Sequence, residues 1–150
     1  METSAHVTAR FLAWSIGLLA CACAHPADTP PSGALLLQHV EMSGSTAIFR
    51  LENHSTQSIF LAVYEETSAA VVPLSYNAVL ACRPPLSSLW ESETLHTASI
   101  ESSDIIEIKP DQVRTLNVGA QFTRNYKNGL CRLRLSLEGG TFIESKTFAP

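Results

Sequence analysis

The fold of this chain is decided by residues 130–148, LCRLRLSLEGGTFIESKTF. Over the first half of this stretch, apolar side chains alternate with polar ones, which is the period of a β-strand that buries one face. Glu138-Gly139-Gly140-Thr141 follows, and its two glycines permit the positive φ angles of a tight turn. Residues 142–148 then predict the returning strand. The stretch as a whole predicts an antiparallel β-hairpin.

Strand signals recur along the chain toward the N-terminus. Apolar and polar residues alternate in residues 47–52 and again in residues 76–82, and residues 58–64 form the continuous apolar run of a strand covered on both faces. Lys109-Pro110-Asp111-Gln112 places proline at the first central position of a turn, which separates one strand from another over residues 113–118.

Two segments are less regular. Residues 35–42 fit either a strand or a short helix, and residues 87–103 predict a loop with one short strand around Trp90. The chain therefore has seven or eight short strands and no long amphipathic helix. We predict an all-β fold, an antiparallel β-sandwich, with a small barrel as the alternative.

Three of these features resemble the immunoglobulin-like β-sandwiches of small bacterial envelope proteins. They are the strand Phe49–Asn53, which ends in asparagine, the proline turn Lys109–Gln112, and the closing hairpin with its glycines. The resemblance covers residues 34–150. It implies an immunoglobulin-like architecture, and fold alone does not imply a function.

The interior cysteines are expected to pair. The order Cys82, Trp90, Cys131 is similar to the cysteine, tryptophan and cysteine of antibody domains. Because two or three predicted strands precede Cys82 and Trp90 follows it closely, the likeness does not extend to the antibody disulfide topology. Both cysteines lie in strand-like runs, and in an oxidising compartment we expect a disulfide between them. The alternative is two separately buried free thiols. No CxxC pair accompanies either cysteine, so a zinc site is not expected.

The N-terminal residues have the pattern of an export signal. Arg10 precedes an apolar run over residues 11–20, which is too short for a transmembrane helix. Leu18-Leu19-Ala20-Cys21 resembles the lipobox of bacterial lipoproteins, which implies cleavage before Cys21 and a lipid on its sulfur. The alternative is an ordinary signal that is cleaved after Ala22-Cys23-Ala24.

The lipobox divides the chain into a signal peptide (residues 1–20), a lipidated N-terminus with a proline-containing tether (21–32) and a β-sandwich domain (33–150). Ala22 follows the lipid-bearing cysteine. By resemblance to proteobacterial lipoproteins, a residue other than aspartate at this position implies the outer membrane, with the domain facing the periplasm. The acyl chains would attach the protein to the membrane.

Composition and motifs argue against several classes of function. Fourteen carboxylates against ten lysines and arginines, a net charge of −4, disfavour nucleic-acid binding, which needs clustered cations. The chain contains no G-x-S-x-G elbow and no phosphate-binding glycine loop. His39 and Glu41 would share one strand face, but no third metal ligand accompanies them. His54 and His96 are expected in a turn and a loop. We expect no catalytic residues, no cofactor and no bound metal.

A weak basic strip is the candidate partner-binding surface. It consists of two arginines on the outer face of the last long strand, a third on a strand expected nearby, and three residues of the loop before the strand: Arg132, Arg134, Arg114, Arg124, Tyr126 and Lys127. A basic strip on an acidic protein can recognise an anionic glycan, a phosphate or an acidic protein surface. The alternative is a charged outer face that keeps the sheet soluble and blocks edge pairing.

These features predict a non-catalytic, lipid-anchored envelope protein that serves as a binding or accessory module for a protein partner. Immunoglobulin-like bacterial domains similar to this one include proteinase inhibitors. The resemblance therefore implies, as the alternative, an inhibitor of an envelope protease or other hydrolase that acts through Leu86–Ser103 or Thr123–Gly129. A small enzyme is a third interpretation. No residue pattern points to a particular small-molecule ligand.

Overall fold

The computed structural model describes residues 33–92 and 104–150. The predicted signal peptide, the lipobox, His96 and residues 93–103 lie outside the described residues. The described residues form two β-sheets and one short 3-10 helix. The strands are β1 (Leu35–Ser43), β2 (Thr46–Asn53), β3 (Ile59–Glu66), β4 (Val71–Pro73), β5 (Ala78–Arg83), β6 (Glu91–Ser92), β7 (Asp104–Ile108), β8 (Val113–Gly119), β9 (Leu130–Ser136) and β10 (Phe142–Glu144), and the helix is Gln121–Tyr126.

The sheets pack face to face as a sandwich. The larger sheet has the order β1-β2-β8-β4-β3-β7, and the smaller has the order β10-β9-β5-β6. Within the described residues, neighbouring strands are antiparallel except β4 and β8, which meet in parallel at Val71 and Leu116. The predicted all-β sandwich is confirmed. It has ten strands where seven or eight were predicted, and two of the ten, β4 and β6, have only three and two residues.

Period-two alternation places one face of each sheet in the core. Phe49 and Leu51 of β2 and Leu133 and Leu135 of β9 are fully buried, whereas Arg134 is exposed. Burying each large apolar side chain stabilises the fold by about 1.5–3 kcal/mol. The ambiguous residues 35–42 belong to strand β1, and β6 follows Trp90 directly, where the short strand was expected.

The closing hairpin is confirmed, with a shorter second strand than predicted. β9 and β10 are joined through Gly139 and Gly140, whose φ angles are 87° and 84°. The ladder ends at Glu144, and the chain pairs again only where Phe148 meets Cys131. Ser145 bonds to the backbone of β9, and the residues between it and Phe148 bulge out of the pairing. Phe148 therefore returns to the inner side and packs against the core.

The predicted disulfide is also confirmed. Cys82 and Cys131 lie directly opposite each other on β5 and β9, with their Cα atoms 4.0 Å apart. The bond therefore joins neighbouring strands of one sheet, whereas the antibody disulfide joins the two sheets. As expected from the sequence, the chain does not have the antibody disulfide topology.

Asn53 ties the end of β2 to the proline turn. Its buried amide group donates hydrogen bonds to the carbonyl oxygens of Gln57 (2.8 Å) and Ile108 (2.9 Å). Its Oδ1 accepts hydrogen bonds from the backbone N–H (3.0 Å) and the hydroxyl (2.6 Å) of Ser55. Its carbonyl accepts one from the N–H of Asp111, which has a φ of 60° in the turn. The strand-ending asparagine and the proline turn thus form one structural unit.

Candidate binding surface

The outer face of the four-stranded sheet holds two of the predicted surface arginines. On β9, Cys131, Leu133 and Leu135 point into the core, so the alternating residues Arg132 and Arg134 point outward. Arg134 is opposite Glu144 on one side and Val79 on the other, and Arg132 is opposite Ala81. The sequence therefore predicted the direction of both guanidinium groups correctly.

Arg134 stacks on an aromatic ring of the neighbouring strand. Phe142 stands diagonally across from it on β10, and its ring centroid is 3.8 Å from the guanidinium carbon of Arg134. Diagonal neighbours on one sheet face are within reach of long and aromatic side chains. Phe142 is 52% exposed, so this stacked pair is accessible to a partner.

Two further guanidinium groups lie over Trp90. The guanidinium carbon of Arg132 is 4.3 Å from the Trp90 ring centroid, and that of Arg83, on β5, is 5.1 Å from it. Trp90 is held at this position because the residues after it form β6, which pairs with Ala81 and Cys82. Stacking of a guanidinium on an aromatic ring is favourable and does not itself occupy the in-plane N–H donors. Of these donors, Nη1 of Arg83 bonds to the carbonyl oxygen of Ser87 (3.3 Å) and Nη1 of Arg132 bonds to Glu144 (3.1 Å).

We call Arg83, Trp90, Arg132, Arg134 and Phe142 the arginine–aromatic face. It carries three positive charges against the carboxylate of Glu144, whose Oε2 is 3.1 Å from Nη1 of Arg132. Within the described part of the chain, Arg83 and Arg134 form no ion pair. The face is therefore positive, although the whole chain has a net charge of −4.

The other four predicted surface residues belong to other elements. Arg114 belongs to β8 of the larger sheet, where its Nη2 is 4.0 Å from Oε1 of Glu66 and its Nε is buried without a hydrogen-bond partner. Arg124 and Lys127 are exposed on the 3-10 helix and just after it. The predicted proximity of Arg114 to the β9 arginines is wrong, because β8 is not in the same sheet as β9.

Tyr126 links the 3-10 helix to the strand after Trp90. Its hydroxyl donates a 2.5 Å hydrogen bond to Oε2 of Glu91. That bond to a carboxylate raises the pKa of Tyr126 above its ordinary value. The ring also packs edge-on against Phe122, with centroids 5.8 Å apart. Tyr126 therefore positions the helix, and its hydroxyl already donates a hydrogen bond to Glu91.

A groove of about 390 Å³ adjoins the arginine–aromatic face, and Arg83 belongs to both. Its walls include the loop after β5, with Pro85 and Leu86, and the turn before β9, with Gly129. A Cβ at Gly129 would lie 2.5 Å from the carbonyl oxygen of Arg83, so the two segments approach as closely as they do only because residue 129 is glycine.

The described histidines are separate from this surface. The His39 ring stacks on Phe148 with centroids 3.8 Å apart, its Nε2 is buried without a hydrogen-bond partner, and burial lowers its pKa. His54 bonds to Glu52 through Nε2 at 2.9 Å. In residues 33–92 and 104–150, no three His, Cys, Asp or Glu residues are grouped as a metal site would require. No helix in the same ranges is long and apolar enough to cross a membrane.

The sequence pattern did not identify Arg83, Trp90 and Phe142 as members of the candidate surface. The direction of Arg83 follows from its buried neighbour Cys82, but its closeness to Arg132 depends on which strands pair. The chain matches no protein-family model, no curated protein and no solved structure.

Proposed function

We propose that this chain is a lipid-anchored, non-catalytic envelope protein that binds a protein partner through the arginine–aromatic face. The observation that carries the proposal is the stacking of three arginines on Trp90 and Phe142 along the outer face of one sheet. Tryptophan and arginine are the residue types that most often dominate binding energy at protein interfaces. Stacked guanidinium groups also lose less rotamer freedom when a partner binds.

The charge of the face indicates the chemistry of the partner. Three guanidinium groups and one carboxylate favour a partner whose surface presents acidic side chains. Bidentate pairs between a guanidinium and a carboxylate add geometric specificity. Such complementarity raises the association rate and suppresses wrong partners more than it raises affinity. A net positive patch on an acidic protein is expected to bind in a salt-dependent way.

The anchor in this proposal is Cys21. The tether over residues 21–32 would extend to at most about 40 Å and would hold the sandwich near the membrane. In Cys21→Ala, we expect loss of lipid labelling and release from the membrane fraction, whereas Cys23→Ala retains both. Unchanged labelling and retention of Cys21→Ala would refute the lipobox.

Capture from detergent-solubilised envelope tests the binding face. The double variant Arg132→Glu/Arg134→Glu should lose the partner that the wild-type chain captures. Arg124→Glu/Lys127→Glu changes the net charge by the same amount, on the 3-10 helix and just after it, and should retain the partner. Equal retention by both double variants, with unchanged thermal unfolding, would contradict the proposal.

Inhibition of a protease or other hydrolase is the second candidate, favoured by the loop after β5. Leu86 and Leu89 in this loop are more exposed than the other large apolar side chains of the described residues. An inhibitor would lower turnover at near-stoichiometric dose, and Leu86→Ser/Leu89→Ser would abolish that effect without changing the melting temperature. The absence of dose-dependent inhibition across a hydrolase panel would exclude it.

A further inference from the structure

The outer face of the six-stranded sheet has the opposite charge to the arginine–aromatic face. Pairing of β3 with β7 places Phe60 opposite Glu107 and Ala62 opposite Ile105. Phe60 and Ile105 are 44% and 61% exposed, although Ala62 beside them is buried. Glu65 extends the same side of β3 past a bulge, opposite Val72. We call Phe60, Ala62, Glu65, Ile105 and Glu107 the acidic apolar face.

Both carboxylates of this face are available for an intermolecular contact. Glu107 accepts a hydrogen bond from the hydroxyl of Ser58 (2.7 Å), which fixes the carboxylate but does not neutralise it. Within the described residues, neither Glu65 nor Glu107 forms an ion pair. The face therefore combines two uncompensated negative charges with two exposed apolar side chains.

The two faces point in opposite directions. Leu61 and Ile106, which alternate with the members of the acidic apolar face, are buried in the same core as Leu133. In a sandwich, the inner faces of two sheets pack about 10 Å apart and their outer faces point away from each other. One copy of the chain consequently presents a basic aromatic surface on one side and an acidic apolar surface on the other.

We propose that the partner of the arginine–aromatic face is the acidic apolar face of a second copy of this chain. This inference rests on the proposed function, since it names the partner of the same face. Glu65 and Glu107 of one copy supply carboxylates for the guanidinium groups of the next, and Phe60 and Ile105 cover Trp90 and Phe142. Because the two surfaces differ, the contact is heterologous and repeats from copy to copy as a row. Anchoring on one membrane raises the local concentration of copies.

Sedimentation velocity on the full chain, purified in detergent with micelles in excess, tests this inference. The wild-type sedimentation coefficient should rise with protein concentration at low salt and fall back at about 1 M salt, where the Debye length is about 3 Å. Arg132→Glu/Arg134→Glu destroys the basic side of the contact and Glu65→Lys/Glu107→Lys destroys the acidic side. Each variant alone should remain a monomer.

Mixing the two variants provides the decisive comparison. Each variant retains the surface that the other lacks, and the two reversed surfaces are again opposite in charge, so an equimolar mixture should associate although neither variant does so alone. A monomeric wild type, or a mixture that stays monomeric while the wild type associates, would overturn the inference. If the wild type is monomeric and yet Arg132→Glu/Arg134→Glu loses an envelope partner, self-association is wrong and the proposed function stands. If neither association nor capture depends on these arginines, both are wrong.

Discussion

Replacement of Asn53 by alanine should be among the most destabilising single changes in the described part of the chain. The side chain is fully buried and makes four hydrogen bonds, two donated by its amide and two accepted by its Oδ1. In Asn53→Ala, the carbonyl of Ile108 and the N–H of Ser55 lose these partners. Each buried polar group left unsatisfied costs about 1–3 kcal/mol, so we expect a loss of about 2–5 kcal/mol. Domains of this size are stable by only about 5–15 kcal/mol.

Urea unfolding followed by the fluorescence of Trp90 measures this loss. Trp90 is the one tryptophan after residue 20, so it reports on the sandwich alone once the predicted signal is removed. Asn125→Ala, at an exposed position on the 3-10 helix, is the matched control and should change stability by less than about 0.5 kcal/mol. A loss below about 1 kcal/mol in Asn53→Ala would refute the role of this side chain as the link between β2 and the proline turn.

Three further changes test other parts of the structure. Cys82→Ala/Cys131→Ala should lower the free energy of unfolding by about 4 kcal/mol, since the disulfide closes a loop with a sequence separation of 49. Equal urea midpoints for the wild type and the double variant would contradict this. Gly129→Ala should lower the free energy of unfolding by about 1–3 kcal/mol, because the new Cβ would collide with the backbone of Arg83. The Cβ of Gly119→Ala would meet no other atom within 4 Å, so this variant is the control. Similar melting temperatures for the two variants would be inconsistent with the collision. Burial lowers the pKa of His39 from 6.5, and a hydrogen bond to the Glu41 backbone opposes this with a smaller effect. As the pH falls, His39 is therefore protonated in the unfolded chain before it is protonated in the folded chain. Its contribution to stability is therefore complete above about pH 6.5 and is lost as the pH falls through the lower pKa of the folded state. His39→Gln should show a smaller fall in melting temperature between pH 7.5 and pH 5 than the wild type, and an equal fall would show that His39 is not responsible.

Local sequence signals were sufficient for most of the fold. The alternation along β9, the two glycines after it and the proline turn are short-range features, and each fixes the backbone of a few neighbouring residues. The disulfide was predictable because both cysteines occupy inward positions of strand-like runs. β4 carried no such signal, since three residues are too few to show a period and its parallel contact with β8 depends on strands far apart in the sequence.

The candidate surface was only half predictable for the same reason. Outward direction follows from local alternation, which gave Arg132 and Arg134. The stacking of Arg83 on Trp90 and of Arg134 on Phe142 depends on the register between strands, which a period-two pattern does not specify. Arg114 was predicted to lie near the β9 arginines and does not, because its strand β8 belongs to the other sheet.

Site-specific photo-cross-linking in living cells tests the arginine–aromatic face most directly. A benzophenone amino acid replaces Phe142, which is 52% exposed on the face, or Tyr76, which is 53% exposed in the turn before β5. We expect a light-dependent adduct from position 142 and none from position 76, with the mass of two chains if the partner is a second copy. An adduct at position 76 and none at position 142 would contradict the assignment of this face to partner binding.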